Sequence, residues 1–127
     1  MILTNTNNSS EDYLKNILLL NNRNGCVRAV DLAAELGVTK PSVSVAMKRL
    51  REKKLIYINE KGHICLTDSG KAIAEEVNSK HELIKEFLMK IGVNENTAAK
   101  EACRIEHAIG DETFERLGKF CGRTDER

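Results

Sequence analysis

Three side chains of types that bind transition metals lie within five consecutive residues near the C-terminus. Cys103, Glu106 and His107 occupy positions i, i+3 and i+4, so a helix would place them on one face. There, a thiolate, a carboxylate and an imidazole would offer a cation three ligands of mixed softness. The alternative is a surface Glu and His beside an ordinary buried Cys. The spacing predicts a metal centre and by itself leaves that alternative open.

The basic residues are concentrated in one section of the chain. The 127 residues carry a formal net charge of +1. Residues 23–61 contain nine Lys and Arg against four Asp and Glu, whereas the remainder contains eleven against fifteen. A basic section in a nearly neutral chain indicates an anionic partner for that section alone.

The cysteines and the absence of targeting signals point to the cytoplasm. No apolar run approaches the length that a bilayer requires, and the first ten residues lack the features of a signal peptide. The four cysteines form no CxxC pair and are expected to be reduced thiols, with Cys103 a candidate ligand. They stand at positions 26, 65, 103 and 121.

A helix-turn-helix is predicted inside the basic section. Residues 28–36 have the apolar spacing of a short helix, which ends in a turn at Gly37. Thr39 then caps a helix from Pro41 to about Lys53, with the proline in the first turn, where its missing N–H is tolerated. The outer face of this second helix is polar and basic, as in a DNA-reading helix. That face carries Lys40, Ser42, Val45, Lys48 and Arg49.

A β-hairpin is predicted directly after these two helices. Residues 55–58 and 63–66 are strand-like, and residues 59–62 join them in a turn that contains Gly62. A helix-turn-helix followed by such a hairpin is typical of a winged helix. Lys61 at the tip would reach a DNA phosphate or simply be solvated, and His63 is interpreted as structural.

Helices account for most of the remaining chain. Ser9 or Ser10 is predicted to cap a first helix and to place Glu11 and Asp12 in its first turn. After the wing, Thr67 caps the first of three further helices. These span residues 68 to about 91, 95 to about 109, and about 112 to 120.

The fold class is therefore mainly α. An N-terminal winged helix-turn-helix domain, residues 1–70, is followed by a helical domain, residues 71–127. The three helices after the wing present more apolar surface than so short a chain covers by itself, which predicts a homodimer. A two-fold dimer suits a pseudo-palindromic double-stranded operator.

With its helix-turn-helix, wing, His81 and the stretch from Cys103 to His107 in one order, the chain resembles the diphtheria-toxin-repressor family. These proteins are iron- and manganese-dependent transcriptional repressors. The resemblance extends from Glu11 to about Phe120, and its most similar stretches are residues 11–14, 66–71, 80–83 and 101–107. It implies a DNA-binding domain, a metal-binding dimerisation domain, and the short form without an SH3-like third domain.

The resemblance also implies the metal ligands. Carried over position by position, they are Asp12, Cys103, Glu106 and His107, with His81 as a further ligand. Asp12 stands where iron-type members have Met and manganese-type members have Asp. Cys103 stands where manganese-type members have Glu.

This ligand set is a hybrid of the two branches of the family. Lys15 replaces a Glu that manganese-type members use for a second ion, while Lys85 and Ala99 stand at ancillary positions of the iron type. A full second metal site is therefore not expected. Because a thiolate favours the softer ions, Fe(II) is predicted as the activating metal and Mn(II) as the second choice.

The DNA contacts follow from the same correspondence. Basic side chains would contact phosphates, while positions that face bases in the family would meet thymine methyl groups. No bidentate base reader stands out, so DNA shape is expected to contribute to specificity. The predicted phosphate contacts are Arg28, Lys40, Lys48, Arg49 and Lys61, and the base-facing residues are Thr39, Pro41 and Val45, with Ser42 on the same face.

Two rival functions are compatible with parts of this pattern. A metal-independent winged-helix regulator would respond to oxidation of Cys103 or Cys121 and release DNA with peroxide rather than with a chelator. A metalloenzyme could use the same ligands, but the sequence offers no spare general base or oxyanion device beside them. We therefore predict a metal-dependent repressor of metal-homeostasis genes and not an enzyme.

Overall fold

A computed structural model describes the backbone of residues 6–122 and the side chains from Ser10 to Gly122. Within this range the chain is predominantly helical, with one small antiparallel hairpin, which confirms the predicted fold class. The chain divides into two compact units between Glu76 and Val77, inside the fourth helix. The elements are α1 (Thr6–Asn24), α2 (Ala29–Leu36), α3 (Lys40–Glu52), β1 (Ile56–Ile58), β2 (Ile64–Leu66), α4 (Asp68–Lys90), α5 (Glu95–Ile105) and α6 (Asp111–Phe120).

Helix α1 starts earlier than its sequence predicts. Because it begins at Thr6, Ser9 and Ser10 lie inside the helix and do not cap it, and Asp12 falls beyond the first turn. One face of α1 is deeply buried from Tyr13 to Leu20, and such packing extends a helix through residues of modest propensity. Its end matches the prediction, since Gly25 adopts φ +86° and its amide donates to the carbonyl of Asn21 over 2.8 Å.

Helices α2 and α3 form the predicted helix-turn-helix. Gly37 ends α2 in the left-handed conformation, with φ 68°. Thr39 caps α3, and its side-chain oxygen accepts a hydrogen bond from the amide of Ser42 over 3.2 Å. Val43, Met47 and the other apolar residues of one face are buried, which leaves the basic face of α3 exposed.

The hairpin forms the wing. Its register pairs Ile56 with Leu66, Tyr57 with Cys65, and Ile58 with Ile64. The strands are one residue shorter at their starts than predicted, because Leu55 and His63 lie outside the ladder.

The turn of the hairpin is closed by Asn59. Its side-chain oxygen accepts hydrogen bonds from the amides of Lys61 over 2.9 Å and His63 over 3.0 Å. This local chemistry explains why the turn was predictable from sequence.

The first unit has a single apolar core to which α1, the helix-turn-helix and the wing all contribute. It is closed by the start of α4, where the hydroxyl of Thr67 donates to the carbonyl of Lys54 over 2.8 Å and accepts from the amide of Gly70 over 3.1 Å. The core residues are Tyr13, Leu14, Ile17, Leu18, Leu20, Val27, Leu32, Ala33, Val43, Met47, Leu50, Ile56, Ile64 and Ala74.

The second unit contains the C-terminal part of α4 together with α5 and α6. Leu83 and Ile84 of α4 and Ala98 and Ala102 of α5 are almost completely buried. The rings of Phe87 (α4) and Phe120 (α6) pack edge to face, with centroids 5.9 Å apart.

Helix α5 ends at Ile105, before the predicted end at about Ile109. The amide of Ala108 turns back to the carbonyl of Ile105 over 2.8 Å, which tightens the chain into a turn before Gly110 begins α6. Glu106 keeps a helical backbone, with φ −58° and ψ −26°, so the predicted common face survives the early end. Within the described residues, no helix combines the length and apolar composition needed to cross a membrane.

Gly70 provides a test of the close packing where the wing joins α4. A Cβ at this position would overlap the carbonyl oxygen of Leu55 and lie 2.9 Å from its carbonyl carbon. We expect Gly70→Ala to lower the free energy of unfolding by about 2 kcal/mol or more, because a backbone obstacle cannot move aside as a side chain can. Urea unfolding followed by circular dichroism measures this loss.

Gly110→Ala is the matched control. Its Cβ would meet nothing within 4 Å, and its φ of −94° suits any residue. We expect a loss below about 1 kcal/mol there, since only an N-cap preference is affected. Equal losses in the two variants would contradict the close approach at Gly70.

Candidate functional site

A buried carboxylate lies at the centre of the candidate metal centre. The side chain of Glu106 is 0% exposed, and its two oxygens contact two imidazoles. Glu106 Oε1 lies 2.9 Å from His81 Nδ1, and Oε2 lies 3.3 Å from His107 Nε2. A carboxylate is costly to bury unless it has polar partners, and these two rings provide them.

The thiol of Cys103 contacts one of these two imidazoles. Its Sγ is 3.8 Å from His81 Nδ1, the atom that also contacts Glu106. His81 of α4 therefore stands between the thiol and the carboxylate of α5. Pairwise contacts thus link four of the five predicted ligands within the second unit, namely His81, Cys103, Glu106 and His107.

The alternative to a metal centre was an ordinary set of side chains, and it assumed particular exposures for Cys103, Glu106 and His107. That interpretation assumed a surface Glu and His beside a buried Cys, and the exposures in this chain do not match it. Glu106 and His107 have side-chain exposures of 0% and 4%, whereas Cys103 is exposed. A hidden carboxylate and imidazole with a thiol at the surface resemble a site that is open on one side.

The donor set fits a divalent transition metal. Carboxylate oxygen, imidazole nitrogen and thiolate sulfur all bind such ions, and imidazole suits iron as well as softer metals. The rings hold the carboxylate of Glu106 through atoms that would also bind an ion, so a cation would replace these contacts and release protons.

Helices α4 and α5 position the cluster. Asn94 caps α5 by accepting a hydrogen bond from the amide of Thr97 over 2.9 Å, which fixes where the helix starts. The small side chains of Ala98 and Ala102, on the inner face of α5, are fully buried.

Two lysines of α4 hold the segments on either side of the cluster. Lys80 Nζ donates to the carbonyl of Ile109 over 3.3 Å, and Lys85 Nζ lies 3.4 Å from the carboxylate of Glu95. The contact of Lys80 was missed in the sequence, because no local motif signals a bond to a distant carbonyl. Lys85, at an ancillary position of the iron type, is engaged in this ion pair.

Asp12, the fifth predicted ligand, belongs to the first unit. It is half-buried on α1, and its backbone carbonyl accepts a hydrogen bond from the side-chain amide of Asn16 over 2.8 Å. Lys15, on the same helix, is buried with 4% exposure.

The candidate nucleic-acid surface lies on the first unit. Val45, a large apolar side chain on the outer face of α3, is 57% exposed, as a residue that meets a partner would be. Arg28 keeps a weak ion pair with Asp31 over 4.0 Å, and the other basic side chains of this surface extend into solvent. All nine predicted DNA-binding residues are exposed: Arg28, Thr39, Lys40, Pro41, Ser42, Val45, Lys48, Arg49 and Lys61.

Comparison with known proteins relates both units to one family. The family model described as the iron dependent repressor N-terminal DNA binding domain matches residues 5–64. The model described as the iron dependent repressor metal binding and dimerisation domain matches residues 67–127.

Two curated proteins are similar over most of the chain. A helix-turn-helix-type transcriptional regulator of Methanocaldococcus jannaschii is 38% identical over 116 residues, covering 88% of this chain and 91% of that protein. The transcriptional regulator MntR of Escherichia coli O6:H1 is 34% identical over 110 residues, covering 87% of this chain and 71% of that protein.

Two solved structures share the fold. The manganese regulator SloR has 32% identity and a TM-score of 0.82, with 91% of this chain and 54% of that chain covered. The IdeR protein of T. acidophilum has 28% identity and a TM-score of 0.82, with 96% of this chain and 55% of that chain covered. The chain thus spans about half the length of these two solved chains.

The buried carboxylate of the cluster generates a direct test. Glu106→Gln keeps the shape of the side chain and removes its charge, which avoids the hole that alanine would leave in a buried position. We expect divalent metal binding to weaken at least about tenfold, since even indirect partners of metal ligands change affinity by that much. Anaerobic titration of the purified protein with Fe(II) or Mn(II) against a competing chelator measures the change.

Glu101→Gln, on an exposed position of the same helix, is the control and should bind metal like the parent. Circular dichroism of both variants verifies that the fold is retained. Parental affinity in a folded Glu106→Gln protein would remove this carboxylate from the metal centre.

Proposed function

The chain belongs to the iron-dependent repressor family of metal-dependent transcriptional regulators, and we propose that it represses metal-homeostasis genes when Fe(II), or in second place Mn(II), binds to it. The family consists of regulators rather than enzymes, and its members bind operator DNA and dimerise through the C-terminal domain. The resemblance seen in the sequence is thereby confirmed.

The contact of Glu106 with two imidazoles carries this proposal. The carboxylate of Glu106 is 0% exposed, with His81 at 2.9 Å and His107 at 3.3 Å, which places donor types that bind divalent cations side by side in a buried position. When bound, a divalent cation supplies positive charge and coordination bonds to this set. His107 and Glu106 provide the buried donors, and Cys103 provides a soft donor at the surface.

We include Asp12 in the ligand set because of its position in the family pattern. Asp12 belongs to the helix that precedes the helix-turn-helix, whereas the other proposed ligands belong to α4 and α5. By binding the same cation, Asp12 would favour one arrangement of the DNA-reading helices in the dimer. Those helices must match successive major grooves about 34 Å apart, and a preference of about 1–3 kcal/mol is typical of such coupling.

The preference for iron rests on Cys103. Carboxylate and imidazole alone accept Mn(II) and Fe(II) with little preference, whereas a thiolate favours the softer ion. The exposed Sγ of Cys103 lies 3.8 Å from His81 Nδ1, another of the proposed donors. Manganese remains the second choice because Asp12 is a hard ligand.

The proposed DNA contacts lie on α3 and around it. Lys40, Lys48 and Arg49, with Arg28 and Lys61, would bind phosphates, which position the protein without reading sequence. The 57% exposed side chain of Val45 suits apolar contact with a thymine methyl.

We assign the two activities to residues 1–70 for DNA binding and residues 71–127 for metal binding and dimerisation. The two family models, over residues 5–64 and 67–127, support a division near this point. A repressor acts where the genome is, so we also propose a cytoplasmic location.

The basic face of α3 gives the first test of this proposal. We expect Lys48→Ala and Arg49→Ala each to weaken binding to all DNA sequences and to reduce the salt dependence, by about 0.9 in the log–log slope for each phosphate that is no longer neutralised. Fluorescence anisotropy at several salt concentrations, with metal present, measures both effects. Lys100→Ala, an exposed lysine of α5, should leave them unchanged.

The assignment of α3 as the DNA-reading helix would be overturned if both variants bound operator and unrelated DNA like the parent, with the parental salt slope. Metal binding of the variants, measured in parallel, should equal that of the parent.

Metal selectivity gives a second test. Cys103→Glu would replace the soft donor by a hard one, so we expect activation of DNA binding to shift from Fe(II) toward Mn(II). Anaerobic mobility-shift titrations with each ion, against an EDTA control, measure the shift. Cys121→Ser removes a buried thiol of the same unit and should keep the parental preference.

Two results would separate the parts of the proposal. A parent that prefers Mn(II), with no change in Cys103→Glu, would remove Cys103 from the ligands and overturn the iron assignment. DNA binding that resists EDTA in the parent would overturn metal activation altogether.

A further inference from the structure

Two cysteines of the first unit, Cys26 and Cys65, have no part in the proposed metal centre. Cys26 belongs to the short segment between α1 and α2, and Cys65 is the middle residue of β2. The amide of Ile64 donates a hydrogen bond of 2.8 Å to the carbonyl of Val27, so this segment runs beside the outer edge of the hairpin.

The burial pattern shows in which direction the segment runs. In an antiparallel pair, this bond joins residues that lie directly opposite each other and face the same side. Val27 and Ile64 agree with that arrangement, since they are 0% and 3% exposed. A parallel pair would instead set the buried Ile64 beside Arg28, which is exposed. The segment is therefore antiparallel to β2.

This register sets Cys26 opposite Cys65. The residues next to a hydrogen-bonded pair form a non-hydrogen-bonded pair, in which the Cα atoms are about 4.5 Å apart and the side chains lie close together. A disulfide requires Cα atoms about 4.4–6.8 Å apart, so the backbone position suits one. Both thiols are free and only partly buried, as expected for the face that points away from Val27 and Ile64.

Tyr57 supports the placement of the Cys65 thiol on that face. It stands opposite Cys65 on β1 and is exposed. The charge of the Cys65 thiolate and its hydrogen bond raise the pKa of Tyr57. The sulfur of Cys65 therefore lies on the accessible side of the wing, where a small oxidant can reach it.

We propose that Cys26 and Cys65 are an oxidation site that forms an intramolecular disulfide with peroxides. One thiolate attacks a peroxide oxygen, the O–O bond breaks, and a sulfenic acid and hydroxide form. The second thiolate then attacks the sulfenic sulfur, the S–O bond breaks, and hydroxide leaves. Two thiols lose two electrons and two protons in total, and the peroxide is reduced to two molecules of water.

The disulfide would close a covalent loop around the DNA-reading part of the chain. That loop contains α2, α3 and β1, all of which lie between residues 26 and 65. Long closed loops restrict the unfolded chain strongly, so the oxidised first unit should unfold at higher urea concentration. In a reducing compartment the bond would be transient and would mark exposure to peroxide.

The test uses the full-length protein and hydrogen peroxide, followed by mass spectrometry without reduction. We expect a monomeric product that has lost two hydrogens and whose peptides containing Cys26 and Cys65 are linked. Its urea midpoint should exceed that of the reduced protein, and dithiothreitol should reverse both changes.

Single variants identify the partners. Cys26→Ser and Cys65→Ser should each abolish the intramolecular disulfide and the rise in urea midpoint, whereas Cys103→Ser should keep both. Cys26→Ala and Cys65→Ala serve as second variants if a serine variant fails to fold by circular dichroism. A link involving Cys103 or Cys121, a disulfide only between two chains, or no link at all would overturn the proposal. None of these outcomes depends on metal binding, so failure of this proposal can be distinguished from failure of the proposed repressor function.

Discussion

The metal-binding unit depends on one buried negative charge. The carboxylate of Glu106 is fully removed from solvent, and moving such a group out of water costs several kcal/mol unless polar partners replace the water. His81 and His107 are those partners, and they come from α4 and from the turn after α5. These contacts join α4 to the C-terminal end of α5.

Features set by neighbouring residues were predictable from the sequence. The turn at Gly37, the cap at Thr39 and the hairpin turn at Asn59 all rest on bonds within a few residues, and all three occur as expected. Features that depend on contacts between residues far apart in the chain were not predictable from the sequence. The start of α1 at Thr6 and the end of α5 at Ile105 depend on what the helices contact, which no local pattern reveals.

The candidate site likewise combines features that local sequence determines with features that tertiary packing determines. The i, i+3, i+4 spacing predicted a common face for Cys103, Glu106 and His107, and Glu106 keeps a helical backbone even at the end of α5. The spacing did not indicate how deeply each of these side chains is buried. The side chains of Glu106 and His107 are buried and Cys103 is exposed, because burial depends on tertiary packing that the spacing does not encode. Whether His81 meets this face was also open, and only the fold brings it within 2.9 Å of Glu106.

The four cysteines differ in the reactions that their positions in the fold allow. Cys121 is buried, and a buried structural thiol reacts little. Cys103 is exposed beside an imidazole nitrogen, so its sulfur can act as a soft ligand at the edge of a harder set. We infer that Cys26 and Cys65 lie opposite each other from a backbone hydrogen bond between the neighbouring residues Val27 and Ile64. A thiol beside an imidazole suits a cation, whereas two facing thiols suit oxidation, so the two proposed reactions belong to different units of the chain.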